Sequence, residues 1–152
     1  MRRSAILLAI GYGLPAALAA AVVAGPRLVA WSSASGEPLS GCLAIDGDTL
    51  RCGAERIRLL GIDAPEMGGR CRPGRRCALG DSDASKAALA DAASGPLTIQ
   101  RVGTDRYGRT LALVSGPAGD LSCGQLKAGR AIYRRDWDDG GRVAAICPAD
   151  VE

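Results

Sequence analysis

The chain has 152 residues, 47% hydrophobic and 23% charged, which suits one packed domain and argues against global disorder. It contains no histidine, which excludes Ser-His-Asp and Cys-His catalysis, histidine-held zinc and histidine phosphotransfer together. The formal net charge of +3 resides in Arg2, Arg3 and Arg27, the only charged side chains before Glu37, and the remainder is balanced. Overall charge therefore does not mark a polyanion binder; only a local arrangement can.

Met1-Arg2-Arg3 precedes an uncharged stretch from Ser4 to Pro26 rich in Ala, Leu, Ile and Val. A bilayer core needs about 20 apolar residues and a signal peptide's apolar region about 7–15, so this segment has spanning length. The basic flank predicts that the C-terminal part of the chain lies outside the cytoplasm, in the cell envelope or secreted. Residues 1–31 read either as an uncleaved membrane anchor or as a signal cleaved near Ser33-Ala34-Ser35. The bland alternative is a buried core helix, which the basic flank and the lack of acids oppose.

Residues 32–40 are rich in Ser and Gly and read as a linker to a domain at 41–152. Short strands are predicted at 42–45 and 49–52, flanking the turn Asp46-Gly47-Asp48, and at 56–62 after a turn at Gly53. The polar insert 67–80 reads as loop. A helix is predicted over 82–93, with a Ser or Asp cap and a Gly95-Pro96 stop. Strands at 97–102 and 110–114 flank Asp105-Arg106-Tyr107-Gly108-Arg109, and a short helix over 121–128 is capped by Asp120 and ended by Gly129. Five strands with short helices predict a mainly β (α+β) fold, a five-stranded Greek-key barrel of the OB type preceded by the hydrophobic segment.

All six cysteines follow the apolar segment, with no C-x2-C spacing, so three disulfides in an exported domain are expected rather than zinc. Cys71 and Cys77 would close a small loop carrying Arg72, Arg75 and Arg76. Cys42 and Cys52 sit five residues either side of Gly47, so a hairpin would bring them together, leaving Cys123 with Cys147.

Asp46-Gly47-Asp48-Thr49 alone is a common turn. Asp63-Ala64-Pro65-Glu66 adds weight, because it follows the most hydrophobic strand and would place two carboxylates at the edge of a core. Pro65 holds Ala64 extended. Asp48, Asp63 and the Ala64 carbonyl, completed by water, suit a hard ion such as Ca²⁺, with Glu66 left over as a base. Arg58 lies inside an apolar strand, where a guanidinium needs a partner: either an ion pair with Asp63 or Glu55, or a phosphate. Arg58 and Arg109 beside an oxygen-held cation would form a phosphate site. The bland reading of the Asp105–Arg109 segment is a solvated hairpin loop.

These three blocks, with Arg58-Leu59-Leu60-Gly61-Ile62-Asp63-Ala64-Pro65-Glu66 in the middle, resemble the signature segments of the staphylococcal-nuclease-like (thermonuclease) family in order and separation. The resemblance covers roughly residues 41–133. It implies an OB-fold enzyme that cuts DNA or RNA phosphodiesters with Ca²⁺, leaving a 3′-phosphate and a 5′-hydroxyl. By position, Asp48, Asp63 and Ala64 would bind the metal, and Arg58, Glu66 and Arg109 would be catalytic. Arg106 and Tyr107 would contact a neighbouring nucleotide, with Tyr133 a further contact. Single-stranded substrate is expected, and no protein partner is indicated. Ala64 stands where the family archetype has Thr, which a backbone ligand tolerates. The C-terminal region is shorter than the archetype's, so a truncated or absent final helix is expected. The arginines of the Cys71–Cys77 loop read either as a phosphate clamp or as a solvated loop. The competing class is a non-catalytic OB-type binder of single strands in the cell envelope, for which Glu66 would have no use.

Overall fold

The first strand of the computed structural model lies inside the segment that reads as linker. Strand β1 (Glu37–Leu39) pairs antiparallel with residues 97–99, Leu39 opposite Leu97. Pro38 is tolerated because β1 is an edge strand, and Leu39 packs against the core. Polar flanks hid this strand: its stability comes from pairing, not from its own composition. The structure describes residues 36–69, 71, 74 and 76–151, so the anchor or signal reading of 1–31 lies outside the described residues.

Strands β2 (Cys42–Ala44), β3 (Thr49–Cys52) and β4 (Glu55–Leu59) form an antiparallel meander. Alternation puts Leu50, Ile57 and Leu59 in the core, each no more than 1% exposed. The strand expected over 56–62 divides at Gly61, whose φ of 70° turns the chain before β5 (Ile62–Asp63). A Cβ on Gly61 would also come within 3.1 Å of Asp138 and Val143. The break takes Asp63 out of the main sheet and into a two-stranded ribbon with β9 (Ile132–Tyr133).

Helix α1 (Ser82–Ala92) starts where Asp81 accepts a hydrogen bond from the Ala84 amide at 2.9 Å, and it buries Ser85 and Leu89. Strands β6 (Leu97–Thr104) and β7 (Thr110–Gly116) make a long hairpin, and β8 (Gly119–Asp120) pairs with β7. Asp120 caps α2 (Leu121–Lys127) through the Cys123 amide at 3.0 Å. The main sheet runs β1-β6-β7-β4-β3-β2, antiparallel except for the parallel pair β4–β7. It curls into a half-barrel with few short helices, the OB-type α+β architecture, with two more strands in the main sheet than the five expected.

The C-terminal helix is indeed short. Helix α3 (Arg142–Ile146) buries only Val143, and Asp138 accepts from the Val143 and Ala144 amides at 2.9 and 3.0 Å. The Cys123–Cys147 disulfide ties it to α2; Cys42–Cys52 joins residues directly opposite in β2 and β3, and Cys71–Cys77 closes the arginine-bearing loop. These are the three expected pairings. Among the described residues no helix is long and apolar enough to cross a membrane.

Candidate active site

The turn between β2 and β3 is pressed under helix α1. Gly47 is required there: a Cβ would overlap the Ser85 hydroxyl and come within 2.7 Å of the Ala64 Cβ. The buried Gln125 of α2 donates from Nε2 to the Gly47 carbonyl at 2.6 Å and to the Ser85 carbonyl at 2.9 Å. Ser85 donates onward to the Arg130 carbonyl at 2.7 Å. This polar cluster drives the turn inward and leaves Asp48 only 2% exposed. Asp46 accepts from the Asp48 amide at 3.1 Å and so stands beside it.

Asp48 is held at both oxygens. Oδ1 accepts from Arg58 and from the Thr49 hydroxyl at 3.0 Å, and Oδ2 accepts from the Ala64 amide at 2.9 Å. Burial pushes its carboxyl up to about 7, against the pull of Arg58 and with Asp46 adding to the rise. Asp63, 1% exposed, stands on the other side of Arg58, with 3.6 Å between Oδ1 and Nη2. Arg58 also donates to the Ile62 carbonyl at 3.2 Å. Asp63 Oδ2 takes a second arginine, Arg134, at 2.9 Å from Nη2 and 3.3 Å from Nε. The result is an alternating row, Asp48-Arg58-Asp63-Arg134, with both guanidinium groups over the Trp137 ring at 5.3 and 5.5 Å. Ala64 and Pro65 are buried, and the half-buried Glu66 follows directly, its carbonyl accepting from the Gly69 amide at 3.0 Å.

The third block enters through the sheet. Because β4 and β7 are parallel, Ile57 lies opposite Thr110 and Arg58 opposite Leu111, so Arg109 arrives beside the strand that carries Arg58. Arg109 is braced by Asp105, at 2.8 Å through Nε and 2.7 Å through Nη2. Burial works to raise the Asp105 carboxyl, but hydrogen bonds from the Arg109 and Tyr107 amides and the Arg109 guanidinium outweigh it and hold the group below its ordinary value. Tyr107 is 52% exposed, with Arg106 and Arg109 over its ring at 4.8 and 5.6 Å. Tyr133 lies opposite Ile62 and donates its hydroxyl to Asp138 at 2.9 Å, which couples it to the cap of α3.

The structure thus brings Asp48, Arg58, Asp63 and Ala64 into direct contact, and places Glu66 and Arg109 on the segments adjoining them. Two carboxylates and a backbone carbonyl are an all-oxygen donor set, the chemistry of a hard cation. The fit is partial: among the described residues no group of three or more His, Cys, Asp or Glu side chains is assembled for a metal. Arginines instead neutralise both carboxylates.

Arg134, Trp137, Ser85 and Gln125 escaped the sequence reading. A polar Gln125 within the mostly apolar face of α2 was the available signal for the buried cluster. Arg134 had none, because its partner Asp63 is 71 residues away in the chain. Beside it lies a surface cavity of about 430 Å³, lined by Arg76, Cys77, Leu79, Ile132 and Arg134, and Arg134 also donates to the Arg76 carbonyl.

A family model described as staphylococcal nuclease homologue matches residues 56–144. The chain is also 33% identical, over 124 residues, to the succinoglycan biosynthesis protein ExoI of Rhizobium meliloti (strain 1021). That match takes in 78% of this chain and 63% of the relative, so the chain spans a little under two thirds of the length of the curated relative it matches.

Proposed function

This chain belongs to the staphylococcal nuclease homologue family, and from that premise we propose that it is a calcium-dependent nuclease that hydrolyses DNA or RNA phosphodiesters. The observation that carries this reading is the convergence of Asp48, Arg58 and Asp63, from three different strands and turns, on one cluster with the Ala64 backbone. Arg58 lies between two buried acids, one of them delivered by a turn that is forced inward, so the cluster is more than a single structural ion pair.

In this reading Asp48, Asp63 and the Ala64 carbonyl would hold Ca²⁺, whose charge would offset that of a phosphate oxygen. Glu66, next along from the rigid Ala64-Pro65 step, orients the attacking water and takes its proton. Arg58 and Arg109 offer planar forks to the extra negative charge of the pentacovalent transition state. Arg109 serves the departing 5′-oxygen by charge alone, since a guanidinium with a pKa above about 12 is a poor proton donor, and that oxygen takes its proton from solvent water. Asp105 holds Arg109 in place for that task. Arg106 and the exposed Tyr107 ring contact the adjoining nucleotide, which favours unpaired strands whose bases are free to stack. The products are a 3′-phosphate and a 5′-hydroxyl. The three disulfides support a site of action outside the cytoplasm, with residues 1–31 as anchor or export signal.

The test is digestion of heat-denatured DNA and of RNA by the oxidised full chain, with Ca²⁺ or with chelator, followed by end-group analysis. Cutting in Ca²⁺ alone with 3′-phosphate ends is expected. Equal cutting in chelator removes the calcium assignment, and binding without any cutting places the chain with non-catalytic OB-type binders.

A further inference from the structure

Two arginines of the meander have no structural reason to be where they are. Arg51 of β3 and Arg56 of β4 are directly opposite each other in the antiparallel register, and both are exposed. Like charges facing each other across two strands are destabilising. Neither side chain has an ion pair or hydrogen bond among the described residues. Another exposed strand arginine, Arg101, is the contrast: it holds Glu37 at 2.6 Å and Glu55 at 2.8 Å. The fold therefore neutralises arginines where they serve the sheet and leaves this pair bare.

The pair is continuous with the candidate active site. Arg56 and Arg58 are two residues apart on β4 and leave the strand on the same face, opposite the buried Ile57 and Leu59. Arg56 precedes Ile57 and Arg109 precedes Thr110, and Ile57–Thr110 is the first parallel pair of β4 and β7. At a strand spacing of about 4.8 Å, the row from Arg109 through Arg56 to Arg51 spans about 10 Å across three strands, two residues along β4 and β3 from Arg58 and Thr49. A line of guanidinium forks of this kind suits successive phosphates of one strand, because each fork takes two oxygens and no base need be read.

We propose that Arg51 and Arg56 form a phosphate-binding subsite beside the scissile bond, which takes the backbone of an extended strand of DNA or RNA. The proposal rests on the nuclease reading for its partner, and its test does not depend on turnover. Binding of a fluorescent oligothymidylate of roughly 12 nucleotides, within the site sizes of OB folds, is measured by anisotropy in chelator over a salt series with the oxidised full chain. Replacing both residues, R51Q with R56Q, is expected to weaken binding roughly tenfold and to lower the slope of log K against log salt by about 1.4, two single-strand phosphate contacts. Arg51→Glu supplies a cross-strand ion pair to Arg56, so it should raise the thermal midpoint while it weakens the oligonucleotide. That opposite movement separates lost recognition from lost folding. Unchanged affinity and slope in the double variant overturn the proposal, as does an unsubstituted chain with no salt-dependent binding. A failure of the nuclease reading would appear instead as no Ca²⁺-dependent cutting by a chain that still binds in this way.

Discussion

Arg134 Nη2 lies 2.9 Å from Asp63 Oδ2, so one carboxylate proposed for the metal carries a guanidinium from the residue that follows β9. Asp63 is 1% exposed, and a buried acid needs this charge when no cation is present. A cation and Arg134 should therefore compete for it. Arg134→Gln is expected to bind Ca²⁺ several-fold more tightly by calorimetry or terbium luminescence. The metal-free protein should meanwhile lose about 1–3 kcal/mol in urea unfolding, less than for a lone buried pair because Arg58 remains nearby. Weaker calcium binding in that variant would show that Arg134 supports the site instead.

In the proposed mechanism Glu66 is the base. Glu66→Gln keeps the shape and removes the proton acceptor, so single-turnover hydrolysis of denatured DNA should fall by roughly 10²–10⁴-fold while oligonucleotide affinity holds. Unchanged turnover would take Glu66 out of the mechanism.

Gly47 is the point where packing sets the position of Asp48. Gly47→Ala forces its new Cβ against Ser85 and Ala64, and overpacking of this kind costs about 1–3 kcal/mol. Both stability and calcium affinity are expected to drop. Gly53→Ala, in the open β3–β4 turn, is the comparison: its φ of 62° is strained but nothing stands within 4 Å, so stability alone should suffer.

The short α3 relies on its disulfide. Cys123 and Cys147 are 24 residues apart, and releasing a loop of that size in the unfolded chain costs about 3.5 kcal/mol in the chain-entropy picture. The double change to serine should lower the urea midpoint accordingly and raise amide exchange in residues 142–147 before it does so in the sheet. Uniform loss of protection would mean that α3 is not a separable unit.

Acid should weaken the start of β4, where Glu55 joins β6 and β7. Hydrogen bonds from Arg101 and Thr110 hold the Glu55 carboxyl down to about 2, from an ordinary 4.5. A folded value below the unfolded one means stability that is complete above about 4.5 and lost as pH falls towards 2. Glu55→Gln should flatten the stability profile within that window and leave its form at neutral pH unchanged. The effect is small and shrinks with salt, because both partners are part-exposed. A profile of the same steepness in the variant would assign the acid limb to other carboxylates.

Local chemistry made most of the fold legible. Period-two alternation marked the meander, Asp caps and Gly stops bounded α1 and α2, and hairpin symmetry about Gly47 paired Cys42 with Cys52. The spacing of the three charged blocks identified the family, and Asp48, Arg58 and Asp63 do meet. These features depend on neighbours within a few residues, or on motifs that carry their own geometry.

What remained was decided by partners distant in the chain. β1 is a strand only because β6 offers an edge, and the division of β4 from β5 follows from the turn at Gly61 under Asp138 and Val143. Gln125 reaches Gly47 across 78 residues, and Arg134 reaches Asp63 across 71. No local pattern encodes such pairs, because a buried charge selects whichever opposite group the folded chain brings to it. Sequence alone therefore marked Asp48, Arg58, Asp63 and Arg109; tertiary packing added Arg134 and determined which arginine stands on which acid.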